Sequence, residues 1–230
     1  HFFGRGIVEP MDDMRLTNPP SNPELIQALA DHFVKSGFDL KNLIRTICVS
    51  RTYGLSSIPN ATNAKDKQSF SRRYPKRMSA EVLHDAIVAV TGVPTSFGGL
   101  PAGTRAIDLP DESVASDFLD TFGRPKRDSP CECERVGDAS LSQSLMLLNS
   151  NEIHGKLTSG QGKAEALAKD PRPDAEKLEE LFWAAFSRAP SSSETATALD
   201  HLQRKANQRK EAYEDIIWAL VNAKEFQFND

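Results

Sequence analysis

Cysteine is scarce in this chain: three in 230 residues, an odd number and too few for a disulfide scaffold. At most one internal bridge forms, one thiol is left over, and the count does not decide the redox compartment. Long apolar runs are missing as well. The longest, such as Ile216 to Val221, fall far short of the roughly 20 residues that a membrane-spanning helix needs, so no transmembrane segment is expected. Neither sign of charge dominates: 28 Lys and Arg against 32 Asp and Glu leave a net charge of −4, which disfavours nucleic acid as a partner. There is no repeat of fixed period, no heptad seam and no low-complexity tract. The opening "HFFGRGIVEP" lacks an initiator Met, a basic n-region and an apolar h-region. The expectation is a piece cut from a longer protein, with "HFFGRG" the tail of a truncated helix.

What is present is helical period. "TNPPSNPELIQALADHFVKSG" offers Asn22 as N-cap and Pro23 as the first helical residue, with Leu25, Ile26, Leu29 and Phe33 on one stripe and Gly37 as a left-handed stop. Asp39 caps a second helix whose stripe runs through Leu40, Leu43, Ile44, Ile47 and Cys48, which places Cys48 toward a core. The short connection makes the two a hairpin. Residues 52–76 lose the period and read as a long surface loop. From Ser79 a helix runs to Gly92 with Val82, Leu83, Ile87 and Val90 inward. A Gly/Pro-rich irregular segment follows, and "SVASDFLDTFGRP" adds one or two helical turns. Asp138 is the expected cap of the next helix, with Leu141, Leu145, Leu148 and Ile153 on one side. Then come "GKAEALAKD", a helix with Leu178, Leu181, Phe182, Ala185 and Phe186 inward, and another opened by a Ser191–Glu194 capping box. The last carries Tyr213, Ile216, Ile217, Leu220 and Val221 inward.

The expected fold class is therefore all-α, an irregular assembly of about seven to nine helices with one long Gly/Pro-rich segment. The length suits one domain over residues 1–230, with the alternative of two sub-lobes, 1–92 and 128–230, joined by the irregular segment 93–127.

Chemistry-bearing residues are few. In an extended "SPCECERVGD", Cys131 and Cys133 share one face, two rises of about 3.3 Å apart, a spacing suited to one soft ion. A tetrahedral zinc needs four ligands, and Cys48 with a distant His84 or His154 would have to complete the set. The predicted burial of Cys48 argues against that, so no metal is assigned. A bridge between Cys131 and Cys133 closes a strained ring, a bridge to Cys48 is the better oxidised alternative, and buried free thiols are the ordinary outcome. Cys48, Cys131, Cys133, Glu134 and Arg135 together form the candidate binding or structural cluster. No catalytic residue is assigned: His32, His84, His154 and His201 fall on predicted helices as surface residues, outside any nucleophile–base motif. Asp111, Glu112, Asp117 and Asp120 read as solvated acids, although paired carboxylates perform hydrolysis where a cleft joins them. "RRYPKR" groups Arg72, Arg73, Lys76 and Arg77 around a tyrosine, a composition suited to phosphate or an acidic glycan, and more simply to pairing with local acids.

Six ordered blocks, "HFFGRGIVEPMDDMRLTNPPSNPELIQALADHFV", "LKNLIRTICVSRTY", "RRYPKRMSAEVLHDAI", "CECERVGDASLSQSLMLLNS", "AFSRAPSSSE" and "WALVNAKEF", resemble the planctomycete PSD domain of unknown function. The resemblance implies a multidomain protein with a cytochrome-c-like neighbour and a periplasmic or secreted setting, and carries no catalytic residues. The family's domain begins upstream of His1. Cys-x-x-Cys-His is absent, so no cofactor is expected in this fragment and any haem belongs to a neighbouring domain. The function expected is that of a non-catalytic helical module positioning neighbouring domains or a partner. The alternative is an enzyme domain acting on a polymer such as a glycan, with its site in residues 93–138.

Overall fold

The structure, a computed structural model, describes residues 2–10, 13–125 and 140–229. These form two compact units, His1–Lys76 with Phe228–Asp230, and Arg77–Gln227. The fold is all-α: among the described residues, strand is confined to Lys76–Arg77 and Phe228–Asn229.

In the first unit, residues 2–10 are bends and not the tail of a helix. Helices α1 (Pro23–Lys35) and α2 (Leu40–Cys48) begin where the sequence places them. The Asn22 side chain accepts from the Leu25 amide at 2.9 Å, and that of Asp39 from the Asn42 amide at 3.0 Å. Gly37, at φ +70°, and Phe38, at φ 63°, turn the chain between them. His32 sews the hairpin together, its Nε2 lying 2.8 Å from Asn42 Oδ1 and 3.3 Å from Thr46 Oγ1. The apolar stripes are sealed only in part, with Ile26, Leu29, Phe33, Leu43 and Ile47 half-buried. Neither helix buries a residue, Leu25, Leu40 and Ile44 are exposed, and Cys48 is half-buried rather than in a core. Two short helices cover only the seam between them, and Val8 is the one buried hydrophobic residue among the described residues of this unit. Aromatic edges hold it instead. Phe3 meets Tyr53 and Phe70 at centroid distances of 5.8 and 5.5 Å, and residues 52–75 contain no helix.

The second unit holds the hydrophobic core. Its helices are α3 (Ala80–Thr91), α4 (Asp117–Thr121), α5 (Leu141–Asn149), α6 (Asn151–Leu157), α7 (Lys163–Lys169), α8 (Asp174–Phe186), α9 (Ser192–Arg204), α10 (Arg209–Asn222) and α11 (Lys224–Gln227). Helix α10 is the central strut, packed along α7 and touching α3, α5, α6, α8 and α9. Tyr213, Ile216, Ile217, Leu220 and Val221 all point inward, as their spacing predicts. Leu83, Ile87, Phe118, Leu119, Leu178, Leu181 and Leu202 close the core around them, each full burial contributing roughly 1.5–3 kcal/mol. Segment 93–116 is irregular yet packed. Phe97, Ala106 and Leu109 enter the same core, and the Asp85 carboxylate accepts from the amides of Ala106 and Ile107 at 2.7 and 3.1 Å.

Three assignments of the apolar faces change. Val82 is exposed, and α3 turns Leu83, His84, Ile87 and Val90 inward. Helix α5 is capped by Ser140, in a capping box with Gln143, and not by Asp138, which lies outside the described residues. Its Leu141, Leu145 and Leu148 are exposed, while Gln143 and Leu147 are buried. The stripe that joined them to Ile153 crosses a break: Ser150 ends α5 in extended backbone and caps α6, so Ile153 is buried on a different helix with its own phase.

Candidate functional site

Cys48 is a half-buried free thiol, and Cys131, Cys133, Glu134 and Arg135 lie outside the described residues. Among the described residues no group of three or more His, Cys, Asp or Glu side chains is placed to hold a metal ion. Asp111, Glu112, Asp117 and Asp120 are all exposed; Asp111 accepts from the Ser113 amide at 2.9 Å and Asp120 pairs with Arg124 at 2.7 Å. The basic string divides between the two units. Arg72 lies 5.1 Å from the Tyr74 ring centroid and donates to the Ser57 carbonyl where an acid was expected, and Arg73 stacks on Tyr53 at 4.7 Å. Arg77, in the second unit, lies 5.6 Å from the Phe122 ring and donates to Gln143 Oε1.

A different cluster assembles inside the second unit. His84 was expected on a helix surface but is 2% exposed, its ring between Phe97 and Phe118 at 5.6 and 5.4 Å. Helix α3 presents it, α6 presents Glu152 and Lys156 one turn apart, and the irregular segment presents Thr95. His84 Nε2 lies 3.0 Å from Glu152 Oε1 and 3.0 Å from Thr95 Oγ1. The Thr95 hydroxyl also lies 3.2 Å from Glu152 Oε1. The Lys156 ammonium donates to Thr95 Oγ1 at 2.6 Å and to the Val93 carbonyl at 3.0 Å. His84, chiefly by its hydrogen bond, holds the Glu152 carboxyl below its ordinary range against the opposing effect of burial; burial pushes the Lys156 ammonium down. Nothing in the sequence marked this cluster, because its members are up to 72 residues apart, from His84 to Lys156, and each is an ordinary helix or loop residue on its own.

A hydroxyl, an imidazole, a carboxylate and an ammonium are the parts of a nucleophilic relay, but the connectivity differs from one. In a relay, the base takes the nucleophile's proton on one ring nitrogen while an acid orients the other. Here Thr95 and Glu152 address the same nitrogen, Nε2. Nδ1 is buried without a hydrogen-bond partner, 3.7 Å from Asp85 Oδ1. Lys156 meanwhile occupies the hydroxyl oxygen that would attack. This arrangement ties α3, α6 and the 93–97 segment together as a polar clasp.

No curated protein and no solved structure matches the chain. One family model does match over residues 1–202, and on that coverage the chain belongs to the PSD1 family, proteins of unknown function (DUF1553).

Proposed function

We propose that this chain is a non-catalytic helical module that positions a neighbouring domain or a partner, with the α1–α2 hairpin as its docking element. The observation that carries the proposal is the hairpin's exposed apolar side chains: Val34 on α1, Phe38 in the turn, Leu40 and Ile44 on α2, and Val49 just after it all face solvent. A group of exposed apolar side chains on one short hairpin marks an interaction site more than singly scattered ones do. Lys41 and Arg45 flank Leu40 and Ile44 on α2, so the surface suits an apolar helical face with an acidic rim. The connectivity at His84 supports the non-catalytic half of the proposal. The wider setting, a multidomain extracytoplasmic protein with a cytochrome-c-like neighbour, is supported by the sequence resemblance.

A photo-crosslinking residue in place of Leu40, in the full-length protein in its native cells, tests this. Crosslinks to one defined surface, in a neighbouring domain or a single partner chain, are expected, and Ile44→Glu should abolish them without changing the melting temperature. Crosslinks dispersed over unrelated proteins would overturn the docking role. Hydrolysis of a polysaccharide or ester, lost in Asp111→Asn or Asp117→Asn with the fold intact, would replace the proposal with an enzyme.

A further inference from the structure

Helices α8, α9 and α10 leave between them a groove of about 650 Å³, within the range of small-molecule sites. Its lining is mostly apolar: Phe182 and Phe186 from α8, Ala198 from α9, and Ile216, Trp218 and Ala219 from α10. The small side chains of Ala198 and Ala219 add little bulk to the lining, and the exposed Trp218 lines it beside them. Along α9 the lining runs from Ser193 to Arg204, about 16 Å at the helical rise of about 1.5 Å per residue. The groove is therefore elongated, with the phenylalanines toward one end and His201, Arg204 and Asp215 at the other.

The polar groups of the lining are unevenly satisfied. Glu194 accepts from Arg188 at 2.8 and 3.0 Å and from the Ser191 amide at 2.7 Å, so its charge is already met. Asp215 is held by His201 at 2.9 Å and Lys205 at 2.6 Å. Arg204 is different: its ion pair, with Asp200, uses one of its nitrogens, on an exposed side chain. A guanidinium carries five N–H donors in a planar fork, so most remain for an anion at that end.

We propose that this groove binds an elongated apolar molecule with a carboxylate at one end, its tail over Ala198, Ala219 and Phe182 and its head at Arg204. The site belongs to the second unit alone and is independent of the docking role of the hairpin.

Dodecanoate, titrated below its micellar range into full-chain Trp183→Phe protein so that Trp218 is the remaining indole, is the test. A saturable change in Trp218 emission at one ligand per chain is expected. Arg204→Gln should weaken binding about tenfold, the loss of one charge-assisted contact. Dodecanol, which lacks the anion, should bind equally weakly to both proteins. Ala219→Phe adds bulk to the groove lining at an exposed position and should abolish saturation while far-UV circular dichroism and melting temperature stay unchanged. Absence of saturable binding, affinity indifferent to either substitution, or dodecyltrimethylammonium binding as tightly as dodecanoate would each overturn the proposal.

Discussion

His84 Nε2 and Glu152 Oε1 meet at 3.0 Å across 68 residues of chain, joining α3 to α6 through a ring buried between two phenylalanines. The pair makes stability depend on acid. Glu152 titrates lower in the folded protein than its ordinary 4.5, so the folded state binds fewer protons near that pH. Its contribution is fully present above the unfolded value and is lost as pH falls through the folded one.

Urea unfolding of Glu152→Gln at pH 7 should therefore show a loss of about 1 kcal/mol, the carboxylate being one-third exposed. Below pH 4 the difference from the unsubstituted protein should shrink. An undiminished difference there would mean that the amide acts by packing and not by charge.

On α5 the two neighbouring leucines differ sharply in burial, Leu147 being 2% and Leu148 44% exposed. Leu147→Ala should cost about 2–5 kcal/mol in chemical denaturation, and Leu148→Ala under about 0.5 kcal/mol. Equal costs would contradict the register of this helix.

At the start of α9, Ser191 Oγ accepts from the Glu194 amide and Glu194 returns the bond to the Ser191 amide. Ser191→Ala should destabilise by about 1 kcal/mol. Arg188, and then Ser191, lower the Glu194 carboxyl to about 2, so this stabilisation persists below pH 4.5 and is lost toward pH 2. In Glu194→Gln the melting temperature should change less between pH 5 and pH 2 than in the unsubstituted protein.

Gly92 ends α3 at φ +69°, where a Cβ would meet Lys163 at 3.5 Å, an ordinary contact. The cost of Gly92→Ala is then backbone strain alone, about 1–2 kcal/mol by thermal unfolding. Gly92→Asn should recover part of it, since asparagine tolerates the left-handed region.

The helices were legible because their signals are local. Asn22 with Pro23, Asp39, the Ser191–Glu194 box and Gly92 each act within one turn of the residue that carries them, and the structure keeps all of them. The inward face was legible in α10; it failed at Val82 on α3 and on α5, where Leu141, Leu145 and Leu148 turn outward, and Ser150 resets the phase before Ile153. The sequence also determined that, among the described residues, no helix is long and apolar enough to cross a bilayer, which is a matter of run length.

Only the tertiary structure decided which apolar stripes find a cover. The stripe of α10 is enclosed by α3, α7 and α8, while those of α1 and α2, just as periodic, are covered only in part: Ile26, Leu29, Phe33, Leu43 and Ile47 are half-buried, and Leu25, Leu40 and Ile44 are exposed. Periodicity specifies a face but not the surface that meets it. For the same reason the His84, Thr95, Glu152 and Lys156 cluster was invisible: hydrogen bonds between distant elements depend on distances that the chain acquires only when its core closes.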